Sequence, residues 1–134
     1  MKLDHLGIAV PNLEEALAFW RDALGLEPTD VEVVESEGVR TAFLPVGDAS
    51  IELLEPMDDS GVIARHIERR GPGIHHICMK VDGLEGHLDR LDGQDVRLVD
   101  RQPRPGAHGK KVAFIHPKSA GGVLVELAEP GDEA

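Results

Sequence analysis

The sequence predicts an α+β fold of two paired βαβββ modules, and three observations carry that expectation: an internal repeat, the order of hydrophobic patterns within each half, and a length of 134 residues. A chain of that length makes one domain and buries about two thirds of its unfolded surface without disulfide or metal staples. The repeat appears when His5-Leu6-Gly7-Ile8-Ala9-Val10-Pro11-Asn12-Leu13-Glu14-Glu15-Ala16-Leu17 is set over His76-Ile77-Cys78-Met79-Lys80-Val81-Asp82-Gly83-Leu84-Glu85-Gly86-His87-Leu88. At this offset of 71 residues His, Val, Leu, Glu and Leu coincide. Ile51-Glu52-Leu53-Leu54-Glu55-Pro56 likewise lies over Val125-Glu126-Leu127-Ala128-Glu129-Pro130 at an offset of 74, so a loop of the second half holds three extra residues.

Each element follows from its pattern. Residues 4–10 form a short apolar strand. Asn12 is placed to cap a helix with Glu14 and Glu15 in its first turn, and Leu13, Ala16, Leu17, Trp20 and Leu24 keep helical spacing until Gly25 ends it. Strands are predicted at about 30–35, 39–46 and 50–55, separated by the turn signals Glu37-Gly38 and Gly47-Asp48. A linker at about 57–73 contains a short helix over 62–68, stopped by Gly71-Pro72. The second module, about 74–130 against about 3–56 for the first, is expected to hold a strand at 75–81, a helix over 84–92 and strands near 96–99, 111–116 and 122–128. The last residues, Gly131 to Ala134, are expected to fray.

Composition narrows the function classes. A formal net charge of −11 opposes binding to nucleic acid or anionic lipid, and no apolar run approaches the roughly 20 residues that span a bilayer. One cysteine forms no intramolecular disulfide, and the N-terminus has no secretory pattern, which together predict a cytoplasmic protein. Six of the 14 Lys and Arg, namely Arg97, Arg101, Arg104, Lys110, Lys111 and Lys118, fall in one segment where Asp100 is the sole acid; that segment is either an anion site or a solvated loop.

The repeat selects four residues for chemistry. His5 and His76 start the first strand of each half, and Glu52 and Glu126 lie inside the last. A glutamate between Ile51 and Leu53, or between Val125 and Leu127, is costly in a half-buried strand unless a cation or strong donors compensate it. Two imidazoles and two carboxylates suit a divalent ion such as Co, Mn, Zn, Ni or Fe. His75 matches Asp4 in the first half, and strand alternation turns it away from His76, so it reads as a packing residue. Cys78 reads as a small buried residue matched to Gly7. The chain has no tyrosine, no Gly-x-Ser-x-Gly elbow, no phosphate-binding glycine loop of the Gly-x-x-x-x-Gly-Lys type and no Cys-x-x-Cys pair.

With these residues in hand, the chain resembles the vicinal oxygen chelate superfamily of glyoxalases and extradiol dioxygenases, and within it the methylmalonyl-CoA epimerases. The resemblance spans about residues 3–130 and rests on His5-Leu6-Gly7-Ile8-Ala9-Val10, Glu37-Gly38-Val39-Arg40, Ile51-Glu52-Leu53-Leu54-Glu55-Pro56, Gly73-Ile74-His75-His76-Ile77, Pro103-Arg104-Pro105-Gly106 and the run from His116 to Leu127. It implies strands curved around a metal site held by His5, Glu52, His76 and Glu126, with Co²⁺ foremost, in a homodimer acting on an acyl-CoA.

The implied reaction interconverts (2R)- and (2S)-methylmalonyl-CoA through a metal-stabilised enolate, with one group removing the C2 proton and another returning it from the opposite face. By the same resemblance one catalytic acid precedes the Gly38-Val39 pair. The motif commonly has Glu where Ser36 stands, so Glu35 and Glu37 are both candidates, with Glu126 as the opposing partner. Lys110, Lys111, Lys118 and Ser119 are candidates for contacting the substrate carboxylate or the CoA phosphates. Alternative readings are a glyoxalase I-like lyase acting on a thiol hemithioacetal and a non-catalytic small-molecule-binding protein of the same fold. An extradiol dioxygenase is disfavoured by the fourth ligand and the missing tyrosine.

Overall fold

Alternating burial along β1 (Lys2–Ala9) turns His5, Gly7 and Ala9 inward. Asn12 then caps α1 (Leu13–Leu17), its side chain accepting the Glu15 N–H at 2.9 Å. The helix widens into a π-turn over Ala18–Ala23 and ends before Gly25, whose φ of 91° lies in the left-handed region. Next come β2 (Asp30–Val34), a 3₁₀ turn at Glu35–Glu37 closed by left-handed Gly38, β3 (Val39–Val46), β4 (Ala49–Pro56) and α2 (Val62–Arg70). The second half continues with β5 (Gly73–Lys80), α3 (Leu84–Asp92), β6 (Arg104–Pro105), β7 (Lys111–Ile115) and β8 (Leu124–Glu129).

The computed structural model describes residues 1–131, so the expected fraying of 132–134 lies outside the described residues. The chain divides into two units, His5–His75 and Met1–Asp4 with His76–Ala134. Strand order in the first is β2-β3-β4-β1, with β1 parallel to β4 and the other pairs antiparallel. The order in the second is β6-β7-β8-β5, with β5 parallel to β8. This is the α+β fold expected from the repeat.

The two cores match residue by residue. Val10, Leu13, Leu17, Ala42, Leu44 and Leu53 form one. Val81, Leu84, Leu88, Ala113, Ile115 and Leu127 form the other, at the repeat-equivalent positions. Each fully buried Leu contributes about 1.5–3 kcal/mol. In the first unit α2 closes a further cluster, Ile63 meeting Ala9, Val39 and Leu54. Among the described residues no helix is long and apolar enough to cross a membrane.

One expected strand is corrected. Residues 96–99 do not form a strand; Leu98 makes a single bridge to Ile115. Val99 and Asp100 both donate to the Phe114 carbonyl, and the Asp100 carboxylate accepts the Phe114 N–H at 2.9 Å, so a side chain takes the acceptor position that the next strand residue would occupy. The edge strand of this unit is instead the two-residue β6, where Pro105 has no N–H to continue a ladder. The three extra residues lie between β7 and β8, in a connection containing a 3₁₀ turn at Pro117–Ser119.

Candidate metal centre

In the first unit β1 and β4 bring His5 and Glu52 together, with Nε2 to Oε1 at 3.3 Å. In the second, β5 and β8 repeat the pair as His76 and Glu126 at 3.5 Å. Both imidazoles are buried and both carboxylates half-buried. The register explains the match: Glu52 stands opposite Gly7, two residues beyond His5, and Glu126 stands opposite Cys78, two residues beyond His76. Residues paired across a ladder, and those two apart along a strand, share one sheet face, so each His and Glu project together.

Each pair is braced by a phenylalanine absent from the expectations. Phe43 lies opposite Glu52 in β3 and meets the His5 ring edge-on at 5.9 Å; Phe114 lies opposite Glu126 in β7 and meets His76 at 6.4 Å. The signal was present, since Ala42-Phe43-Leu44 and Ala113-Phe114-Ile115 obey the 71-residue offset. An aromatic edge restrains an imidazole plane without occupying its nitrogens.

The donor set fits a divalent ion. Two ligands each about 2.1 Å from one ion, at octahedral or tetrahedral angles, sit about 3.0–3.4 Å apart, which is close to the spacing of each His–Glu pair. Nitrogen and oxygen donors of this kind suit a borderline first-row metal.

The remaining candidates are placed as follows. Glu35 and Glu37 are exposed in the 3₁₀ turn after β2. Among the described side chains, β2 places Glu32 on the face of Glu52, half-buried and paired with Thr41, a residue not singled out by sequence. Lys110 is half-buried and bonds to Asp4 at 3.3 Å. Lys111 pairs with Glu129 and so faces away from Glu126. Lys118 is exposed in the turn at Pro117–Ser119, its N–H bonded to His116 Nδ1, and the Ser119 hydroxyl accepts the Arg97 N–H at 2.8 Å. Within the basic segment Arg101 is held by Asp89 and Asp92, and Arg104 by Asp100. His75 packs edge-on against His66 of α2, with centroids 4.9 Å apart. Partial burial, reinforced by Arg70, lowers the pKa of His66.

The fold and the duplicated His–Glu pair define a protein class. The chain belongs to the Glyoxalase/Bleomycin resistance protein/Dioxygenase superfamily, whose family model matches residues 4–114. Within it the chain groups with the methylmalonyl-CoA epimerases. It is 40% identical over 130 residues to the ethylmalonyl-CoA/methylmalonyl-CoA epimerase of Cereibacter sphaeroides, covering 96% of this chain and 97% of that one. The crystal structure of methylmalonyl-CoA epimerase from Mycobacterium tuberculosis is similar at a TM-score of 0.89 and 43% identity, covering 98% and 89% of the two chains. A methylmalonyl-CoA epimerase in complex with methylmalonyl-CoA and NH4+ matches at a TM-score of 0.87 and 32% identity, covering 96% and 94%.

Proposed function

We infer that this protein is a methylmalonyl-CoA epimerase, which interconverts (2R)- and (2S)-methylmalonyl-CoA by removing and returning the proton at C2. The observation that carries the reading is the duplicated His–Glu pair, found in a chain 32% identical to an epimerase whose structure contains the substrate. Ethylmalonyl-CoA falls within the same reading, because the Cereibacter relative is named for both substrates.

His5, Glu52, His76 and Glu126 are the proposed ligands of one divalent ion, Co²⁺ foremost, with Mn²⁺, Zn²⁺, Ni²⁺ or Fe²⁺ as alternatives. When bound, such an ion supplies Lewis-acid stabilisation of the negative charge that develops on the thioester oxygen. The chain's own residues do the rest. Phe43 and Phe114 restrain the two imidazoles. Inversion at C2 needs two proton-transferring groups on opposite faces of the enolate plane. Glu126 is one proposed group, and the acids of β2 and its following turn, Glu32, Glu35 and Glu37, supply the other. Lys110, Lys111, Lys118 and Ser119 are the proposed contacts for substrate anions, with Lys111 the weakest because of the face it occupies. The reading carries with it a cytoplasmic homodimer, and the single buried Cys78 is compatible with a reducing compartment.

The test is solvent-deuterium incorporation at C2 of both epimers, with protein stripped by chelator and then reloaded with Co²⁺. Metal-dependent exchange well above the spontaneous rate, together with interconversion of the epimers, is expected. Stoichiometric metal without exchange would overturn the assignment while keeping the metal site.

A further inference from the structure

Register places one more charged side chain on the face that carries Glu126. Arg104 in β6 pairs with Val112 in β7, Val112 shares its face with Phe114, and Phe114 stands opposite Glu126. The Arg104 guanidinium carbon lies 5.0 Å from the centroid of the Phe114 ring, the same ring whose edge contact restrains His76. Asp100 engages this guanidinium through Nε at 3.3 Å. That ion pair and the ring contact hold the guanidinium against the sheet, and among the described residues neither terminal nitrogen has a hydrogen-bond partner. A guanidinium oriented in this way presents two parallel N–H donors, the geometry that matches a carboxylate or phosphate.

The repeat sharpens the point. In the first unit the residue paired with Thr41, as Arg104 is paired with Val112, is Glu32. A duplicated scaffold that kept its His, Glu and Phe at equivalent positions has opposite charges here. An unsymmetrical, anionic ligand accounts for that difference, whereas a purely structural strut would leave the sign arbitrary.

We propose that Arg104 is a substrate-recognition residue that holds an anionic group of the acyl-CoA; the proposal rests on the epimerase reading above. Two anionic groups share this chemistry, the carboxylate on the reacting carbon and the phosphates of the CoA moiety. Among the described residues Lys118 and Lys111 have no aromatic face beside them and Lys110 commits its single nitrogen to Asp4, whereas Arg104, exposed and paired with Asp100 through Nε, rests on a ring and keeps both terminal nitrogens for a ligand.

The test is steady-state kinetics of Arg104→Gln and Arg104→Lys, with inhibition by malonyl-CoA and propionyl-CoA compared with the unsubstituted protein and thermal melts as a fold control. Losing a charged hydrogen-bond partner is expected to raise KM for methylmalonyl-CoA about 10–100-fold with a much smaller change in kcat. Lysine is expected to restore only part, having charge without the planar fork. Weakened inhibition by malonyl-CoA alone assigns the carboxylate, since propionyl-CoA lacks it; equal weakening of both assigns the phosphates. Unchanged KM and inhibition in folded variants of an active protein would overturn the proposal and leave the epimerase reading standing. An unsubstituted protein without exchange activity would overturn both.

Discussion

Glu129 accepts the backbone N–H of Leu84 at 2.9 Å, just as Glu55 accepts that of Leu13 at 2.8 Å. In each module the last strand thus sends a carboxylate to the first turn of the helix, where unsatisfied N–H groups and the helix dipole favour negative charge. α1 has a second cap in Asn12, whereas Gly83 before α3 offers no side chain. Glu129→Ala is expected to cost about 1–2 kcal/mol in denaturant unfolding, without altering bound metal. Glu55→Ala also removes the ion pair to Arg40, which is 3.1 Å away. A Glu129→Ala loss below about 0.3 kcal/mol would mean that the contact does no more than water would.

Among the described residues the buried hydroxyl of Thr41 has no hydrogen-bond partner, and the residue is 2% exposed. The equivalent position in the second unit is Val112, which packs with Cys78 and Ala128. Burying an unpaired hydroxyl costs about 1–3 kcal/mol. Thr41→Val is therefore expected to unfold at the same or a higher temperature than the unsubstituted protein. A fall in stability of more than about 1 kcal/mol would show that the hydroxyl has a stabilising partner after all.

Much of this architecture was legible because it is written twice. The 71- and 74-residue offsets match β1 with β5 and β4 with β8 and select His5, Glu52, His76 and Glu126, since period-2 burial survives duplication, while Asn12 is legible from its own capping pattern before a helical spacing. The strand expected near 96–99 does not form because the Asp100 side chain replaces a ladder acceptor there, a substitution that composition does not reveal. Glu32 escaped notice because its face is set by register with Thr41, a pairing between strands rather than a pattern within one. Phe43 and Phe114 obey the same offset, but a phenylalanine offers no ligand atom, and its place beside an imidazole is set by register between strands.

Cys78 is fully buried, and its Sγ lies 4.0 Å from the Met79 carbonyl oxygen. A thiol probe reaches it only when the fold opens. With an opening free energy of about 5 kcal/mol or more, reaction of the native protein is expected to be at least about 1,000-fold slower than that of unfolded chain. Stopped-flow labelling with an aromatic disulfide reagent measures this ratio, and rapid labelling of the native protein would place the thiol on an accessible path.

His116 carries a pH dependence whose sign is set by its surroundings. Its Nδ1 accepts the Lys118 N–H at 3.0 Å, a role open only to the neutral ring. Desolvation, followed by the charges of Arg97 and Lys118, lowers its pKa below the ordinary histidine value. The unfolded chain therefore takes up a proton at higher pH than the folded one. The stability from this residue is fully present above the unfolded-state value and is lost as pH falls through the folded-state value. Proton NMR of the imidazole is expected to show His116 titrating below a free histidine. His116→Asn, which keeps an acceptor but no titrating ring, should remove this component of the stability-versus-pH curve. Titration at or above the ordinary value would mean that the turn tolerates the charged ring, and that the bond to Lys118 is not what holds it.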